Sequence, residues 1–349
     1  STAVATAPSV VVRDARGNAV AGVAVTFTVG SGGGTVVGGT ATTNASGIAA
    51  VTSWTLGGSG GTQTLIASSG TLPAVTFTAT ATAGAAARLL GFSSQTQSGI
   101  VAGAALTASQ RPAVRVTDAE GNPVTGAVVT FRVAQDGSSG YLTSSDTIAT
   151  ASTNANGIAS VGAWTMPTTS GTSATAIASI SGVAETVTFT VTTTAGAVSR
   201  LRITAGGLST LSTTAGATAS TITITALDAN NNTVTSYAGA KNLTFSGATA
   251  APNTTVPTVD GVNFSTATSI TFTNGVATGA MRLYLAETAT ISVTDGTYSS
   301  GTGTLTATVA AAAASATTST LVVSTVTPAR ASSALMPSRK REFTMWPGP

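Results

Sequence analysis

The 349-residue chain has no cysteine and no histidine. Without a thiol there is no disulfide framework and no cysteine nucleophile. Without an imidazole there is no Ser-His-Asp relay, and the absence of both residues removes the usual zinc ligands. Charge is scarce as well, with 14 Lys and Arg and 11 Asp and Glu making up only 7% of the residues. No apolar run approaches the roughly 18 residues of a membrane-spanning helix. The first residues lack the basic and apolar regions of a secretory leader, so the chain reads as a mature or excised segment.

A net charge of +3 would draw attention to nucleic acid or an acidic surface. The excess is local, however: Arg330, Arg339, Lys340, Arg341 and Glu342 sum to +3, and the rest of the chain is balanced. Its remaining arginines are scattered, whereas a phosphate-binding face needs them clustered. Nucleic acid is therefore excluded as an expected partner. The basic cluster is a short membrane or retention signal, an irregular end, or an out-of-frame translation.

Thr, Ala, Ser, Gly and Val dominate the chain, while Lys and Glu are rare. β-Branched residues suit a pleated surface and the helix formers are missing, so the composition predicts an all-β protein. A Thr-coated, weakly charged surface fits a secreted or cell-surface protein.

The strongest signal is internal repetition. Val12-Arg-Asp-Ala-Arg-Gly-Asn-Ala-Val-Ala-Gly, leading to Val25-Thr-Phe-Thr-Val29, recurs as Val116-Thr-Asp-Ala-Glu-Gly-Asn-Pro-Val-Thr-Gly, leading to Val129-Thr-Phe-Arg-Val133. Thr43-Asn-Ala-Ser-Gly-Ile-Ala49 before Trp54 recurs as Thr153-Asn-Ala-Asn-Gly-Ile-Ala159 before Trp164. Ala83-Gly84 and Ala195-Gly196 close the two copies. A divergent third copy begins at Leu227-Asp-Ala-Asn-Asn-Asn-Thr-Val234, has Arg282 near the Trp position, and carries extra residues around 247–269.

Within each copy the period is two. Val23, Val25, Phe27 and Val29 face one way and Ala24, Thr26 and Thr28 the other. Val187, Phe189 and Val191, then Ile222 and Ile224, repeat this. Such alternation predicts half-buried antiparallel strands, and short strands between Gly, Asn and Asp turns predict β-sandwiches. Asp14, Asp118 and Asp228 are placed to accept backbone amides two residues on, with Gly17, Gly121 and Asn231 supplying positive φ.

These residues resemble the bacterial immunoglobulin-like repeat of the invasin and intimin type. The second copy carries the pattern through Val116, Asp118, Gly121, Asn122, Pro123, Val124, Gly126 and Val129-Thr-Phe131. The resemblance covers residues 8–197 well and 198–312 loosely. It implies tandem immunoglobulin-like β-sandwiches in an elongated rod, as in stalks on bacterial surfaces. In that family adhesion usually lies in a specialised terminal domain or in particular loops, and nothing here resembles such a domain. A spacer or structural role is therefore the expectation, outside the cell of a bacterium.

Several sharper readings compete with plain ones. Asp118 with Glu120, or Asp228 with Asn230 to Asn232, offers oxygens to calcium, which takes six to eight oxygen ligands, several of them usually carboxylates. The acidic supply is thin, and turn chemistry accounts for these residues. Asp118 and Glu120 lack a repeated second acid across a cleft, so no carboxylate-pair hydrolase is expected. Neither an enzyme nor a cofactor is predicted. Trp54 and Trp164 fit core positions better than a sugar-stacking platform. Lys241 is the only Lys before the basic tail, so at most one domain has a lysine for an internal isopeptide crosslink.

The expected organisation is one domain over 1–84 with its opening strand missing, a second over 85–197, and a divergent third over 198–312. Residues 313–349 add a surplus strand at about 317–327 and an irregular basic tail. Truncation from a longer repeat array is one explanation of these ends. The other is strand donation, with Leu321, Val322, Val323 and Val326 of one copy completing the first domain of the next. Such a contact is head-to-tail and does not close, so it builds a filament. The expected partners are thus other copies or neighbouring repeats. A surface adhesin with a ligand site on exposed loops is the second reading.

Overall fold

Strands with one apolar face and one Thr face can be buried only in layers, and glycine and asparagine turns keep them short. The computed structural model describes residues 2–143 and 145–313, and among them there are strands, turns and loops but no helix.

The first unit contains β1 (Ser9–Val11), β2 (Ala24–Ser31), β3 (Gly34–Val37), β4 (Thr40–Thr42), β5 (Ile48–Ala50), β6 (Ser53–Leu56), β7 (Gly61–Ser68) and β8 (Val75–Ala81). Its main sheet runs β4-β2-β7-β8, and the pairs β1-β5 and β3-β6 complete it. The second contains β9 (Arg88–Gly91), β10 (Thr96–Val101), β11 (Ala113–Thr117), β12 (Val128–Val133), β13 (Ile148–Ser152), β14 (Ile158–Ser160), β15 (Ser173–Ile180) and β16 (Val187–Thr194). Here the sheet β10-β16-β15-β12-β13 faces β14-β11-β9.

The third unit begins with β17 (Arg200–Ala205), β18 (Thr210–Thr214), β19 (Ser220–Leu227), β20 (Gly239–Ser246) and β21 (Thr258–Val259). It ends with β22 (Val262–Asn263), β23 (Thr268–Phe272), β24 (Val276–Arg282), β25 (Thr288–Thr294) and β26 (Leu305–Ala310). Its sheets are β17-β19-β24-β21-β22 and β18-β26-β25-β20-β23. The extra residues of the third copy are thus structural: they build the β21-β22 hairpin, extend one sheet beside β24, and bury Val259 and Phe264.

Each unit has its own core, and the predicted inward faces line it. Val25 and Phe27, Val187, Phe189 and Val191, and Ile222 and Ile224 are all buried. Trp54 and Trp164 are 1% and 0% exposed, so neither ring is open to a sugar. The Trp164 Nε1 donates to the Ser139 carbonyl at 2.8 Å, whereas the Trp54 Nε1 is buried with no partner. Arg282 of the third copy is exposed, and the adjacent Leu283 enters the core instead.

In the second and third units the opening stretch is shared between sheets. β9 pairs antiparallel with β11, then β10 crosses to run parallel to β16. β17 with β19 and β18 with β26 repeat the arrangement. Residues 2–8 of the first unit enter only where residues 104–112 do in the second. Val4 N donates to the Trp54 carbonyl and Val51 N to that of Pro8, as Leu106 N does to Trp164 and Val161 N to Pro112. Among the described residues no strand lies on the outer edge of β1 or of β8.

Candidate functional site

The repeated Asp turns meet the joins between units. Asp118 follows β11, and its Oδ1 accepts the amides of Glu120 at 3.1 Å and Asn122 at 2.7 Å. Gly121 between them has φ 88°, a conformation that side-chain-bearing residues rarely adopt. The Asp118 Oδ2 accepts the Asn122 Nδ2 at 2.9 Å and, from the linker after β8, the Gly84 amide at 2.9 Å. Asn122 then reaches across to the first unit: its Nδ2 donates to the Gly58 carbonyl and its Oδ1 accepts the Gly60 amide at 2.8 Å. One carboxylate and one carboxamide thereby tie together the turn, the linker and the preceding sandwich.

The second join repeats the first. Asp228 Oδ1 accepts the amides of Asn230 and Asn232, each at 2.8 Å, and Asn231 supplies φ 68° in place of glycine. Asp228 Oδ2 accepts the Asn232 Nδ2 at 3.0 Å and the linker amide of Gly196 at 2.9 Å. Asn232 donates to the Thr168 carbonyl at 2.8 Å and accepts the Ser170 amide at 2.9 Å. Asn230 adds a bond to the Ala102 carbonyl at 3.0 Å.

Asp118 and Asp228 are each only 2% exposed, and N–H donors satisfy their oxygens. The Asn122 side chain is the main cause holding Asp118 below the ordinary carboxylate range, with the Gly84, Asn122 and Glu120 amides overcoming desolvation. For Asp228, burial pushes upward most strongly, but Asn232, Gly196 and Asn230 together outweigh it and the pKa is lowered. Asp14 has the same internal turn, with Arg16 N at 2.9 Å, Asn18 N at 2.8 Å and Asn18 Nδ2 at 3.0 Å. It is exposed, and among the described residues no linker amide reaches its Oδ2.

The calcium candidates Asp118, Glu120 and Asp228 thus belong to these joins. Both Asp carboxylates already accept four hydrogen bonds each, and Glu120 lies over Gly58, where an added Cβ would come within 3.1 Å of its Cγ. Among the described residues no three acidic side chains come together as a metal site. Lys241 sits over the Tyr237 ring with its Nζ 4.8 Å from the centroid. The Tyr237 hydroxyl donates to Asp295, and burial, followed by that carboxylate, pushes the phenol pKa up. Leu321, Val322, Val323 and Val326 lie outside the described residues.

Local reading of the sequence found the Asp turns but missed what they hold. Asn122, Asn232, Gly84 and Gly196 form the joins, and their signal was the recurrence of Gly-Asn or Asn-Asn together with Ala-Gly at matching places.

The described residues define a protein of tandem immunoglobulin-like β-sandwiches linked through paired Asp and Asn side chains. No protein-family model matches the chain, and no curated protein matches it. Among solved structures it is similar to FdeC, an Escherichia coli adhesin, at 18% identity over 85% of this chain and 89% of that one, with a TM-score of 0.44. It is also similar to InvD of Yersinia pseudotuberculosis at 20% identity over 85% of this chain and 90% of that one, with a TM-score of 0.42. Invasin, described as a bacterial integrin-binding protein, matches at 20% identity over 88% of this chain and 57% of that one, with a TM-score of 0.36. No helix among the described residues is long and apolar enough to cross a membrane.

Proposed function

We propose that the chain is a non-enzymatic structural module of the bacterial cell surface, a stalk or filament subunit that holds its sandwiches at set angles. The observation that carries this reading is the same Asp–Asn lock at both joins. Domains on a plain linker move relative to one another, and a stalk needs that motion restrained. Small-angle scattering tests the reading on the chain carrying Asn122→Ala and Asn232→Ala. The distance distribution should broaden and its maximum change, and a distribution identical to that of the parent would sink the proposal.

The finer form of the reading is head-to-tail assembly through residues 317–327. Electron microscopy of the full chain and of a chain lacking these residues tests it: polymers should form only with the segment present. A second reading, adhesion through loops, draws on Phe92 and Tyr141, aromatics that are 57% and 39% exposed. It requires saturable binding to a host surface or glycan that Phe92→Ser or Tyr141→Ser weakens.

A further inference from the structure

The third sandwich differs from the second at one sheet edge, and the differences converge on one place. In the second, the smaller sheet ends at β14 and Trp164 is buried a few residues further on. In the third, β24 continues to Arg282 on the outer face, Leu283 enters the core, and the β21-β22 hairpin is laid alongside. Asp260 and Gly261 turn the hairpin with φ 49° and 79°, the left-handed pair that a two-residue hairpin loop favours. Asp260 then clasps β24 at Ala280: its amide donates to the Ala280 carbonyl at 2.9 Å, and its Oδ1 accepts the Ala280 amide at 2.8 Å. On the inner side Val259 presses on Gly279, where an added Cβ would come within 2.9 Å of the Val259 Cγ1. The hairpin is thus a fixed wall. On the outer face it bounds a groove of about 310 Å³ lined by Ala219, Thr258, Asp260, Ala280, Arg282 and Tyr284.

We propose that this groove binds a neutral saccharide. A sugar ring is amphipathic, with C–H groups on its faces and hydroxyls around its rim, and each hydroxyl both donates and accepts. The groove has the matching parts. Ala219 and Ala280 are short, exposed side chains that leave room at the floor. Tyr284, half-buried, supplies an aromatic surface and a phenol hydroxyl. Arg282, opposite Thr258 in the β21-β24 register, supplies a planar fork of N–H donors, and Thr258 and Asp260 supply acceptors. Arg282 and Asp260 carry opposite charges, so the groove has no net charge and gives a phosphate or a sugar acid little net attraction. Its volume lies at the small end of the range of about 300–1,000 Å³ common to small-molecule sites, which suits a short saccharide. Charged residues are only 7% of this chain and aromatics 5%, so Arg, Asp and Tyr at one groove are a concentration of scarce groups. The site goes beyond the stalk reading and lies in a different sandwich from Phe92 and Tyr141, so it stands or falls apart from both.

The test is an NMR titration of the isotopically labelled full chain with lactose, cellobiose, mannobiose and chitobiose in turn, and with sialyllactose and inorganic phosphate as charged counterparts. The Ala280 amide is a built-in reporter, because its hydrogen-bond acceptor is the Asp260 carboxylate. At least one neutral disaccharide should shift the amides of Gly261, Ala280 and Arg282 saturably. Arg282→Ala should weaken that binding by about tenfold or more, the loss expected for one charged hydrogen-bonding partner. Ala280→Gln, which fills the floor from an exposed strand position, should abolish it. Amide shifts away from the groove that match those of the parent establish that each variant is folded. Failure of all four neutral disaccharides to shift these amides overturns the proposal, and this result needs no variant. Equal binding by the parent and both folded variants overturns the site. Tighter binding of sialyllactose or phosphate than of every neutral sugar overturns the ligand class. None of these outcomes bears on the scattering test of the stalk.

Discussion

At the scale of single residues, the two core tryptophans form a natural comparison. Both rings are buried in matching positions, but only the Trp164 indole N–H has a carbonyl to bond. Replacement by phenylalanine removes similar volume at both sites, and at Trp164 it also strands the Ser139 carbonyl. At Trp54 the same change removes a donor that is already unsatisfied. An unmet buried polar group costs about 1–3 kcal/mol. Trp164→Phe is therefore expected to destabilise its sandwich by about 1–3 kcal/mol more than Trp54→Phe destabilises its own, as measured by urea unfolding of each variant. The buried carboxylates give a second prediction. Asp118 and Asp228 have lowered pKa values in the folded chain against an ordinary value of 3.8, so their contribution is present above that value. It is lost as pH falls through the folded pKa, when protonation removes an acceptor from the linker amide. Linker cleavage by an acid protease such as pepsin should therefore rise as pH is lowered below about 3.8, more steeply in the parent than in a chain carrying Asp118→Asn and Asp228→Asn. A parent profile no steeper than that variant's would contradict this.

At the scale of elements, β9 and β17 each join their sheet at the edge and insert one leucine into the core. Truncating a buried leucine to alanine typically costs 2–5 kcal/mol, through lost transfer energy and the cavity left behind. Leu89→Ala and Leu201→Ala should each fall within about 2–5 kcal/mol in chemical unfolding. Leu90→Ala, at a half-exposed position on the same strand, should cost well under half as much. The strands over 23–29, 187–191 and 222–224 were legible in the sequence because their alternation is local, and so were the Asp turns, whose acceptor and donors lie within four residues of one another. The β21-β22 hairpin was not, since strands of two residues carry no period to detect. Nor were the joins, which bring Gly84 to Asp118 and Gly60 to Asn122 across sequence separations of 34 and 62 residues. A motif search sees each half of such a contact without any sign that the halves meet.

At the scale of the whole molecule, the three sandwiches differ in how much core they hold. Among the described residues the buried cluster of the third runs from Leu201 to Val309 and includes Phe245, Phe264 and Phe272. That of the second is built on Phe131, Trp164 and Phe189. The first has Phe27, Trp54 and Leu65 as its largest members, and it leaves Phe77 only partly buried at the edge that β10 and β18 protect elsewhere. Stability follows buried apolar area, and an unpaired edge adds amides that open to solvent without global unfolding. The first sandwich is therefore expected to unfold before the others, giving a separate low-temperature transition rather than one cooperative melt. Tryptophan placement makes this measurable, because Trp54 lies in the first sandwich, Trp164 in the second and none in the third, with Trp346 in the tail. In a Trp164→Phe, Trp346→Phe chain, fluorescence should follow the early transition. In a Trp54→Phe, Trp346→Phe chain, it should follow a later one. Coincident midpoints would mean that the locks at Asp118 and Asp228 couple the sandwiches into a single unfolding unit.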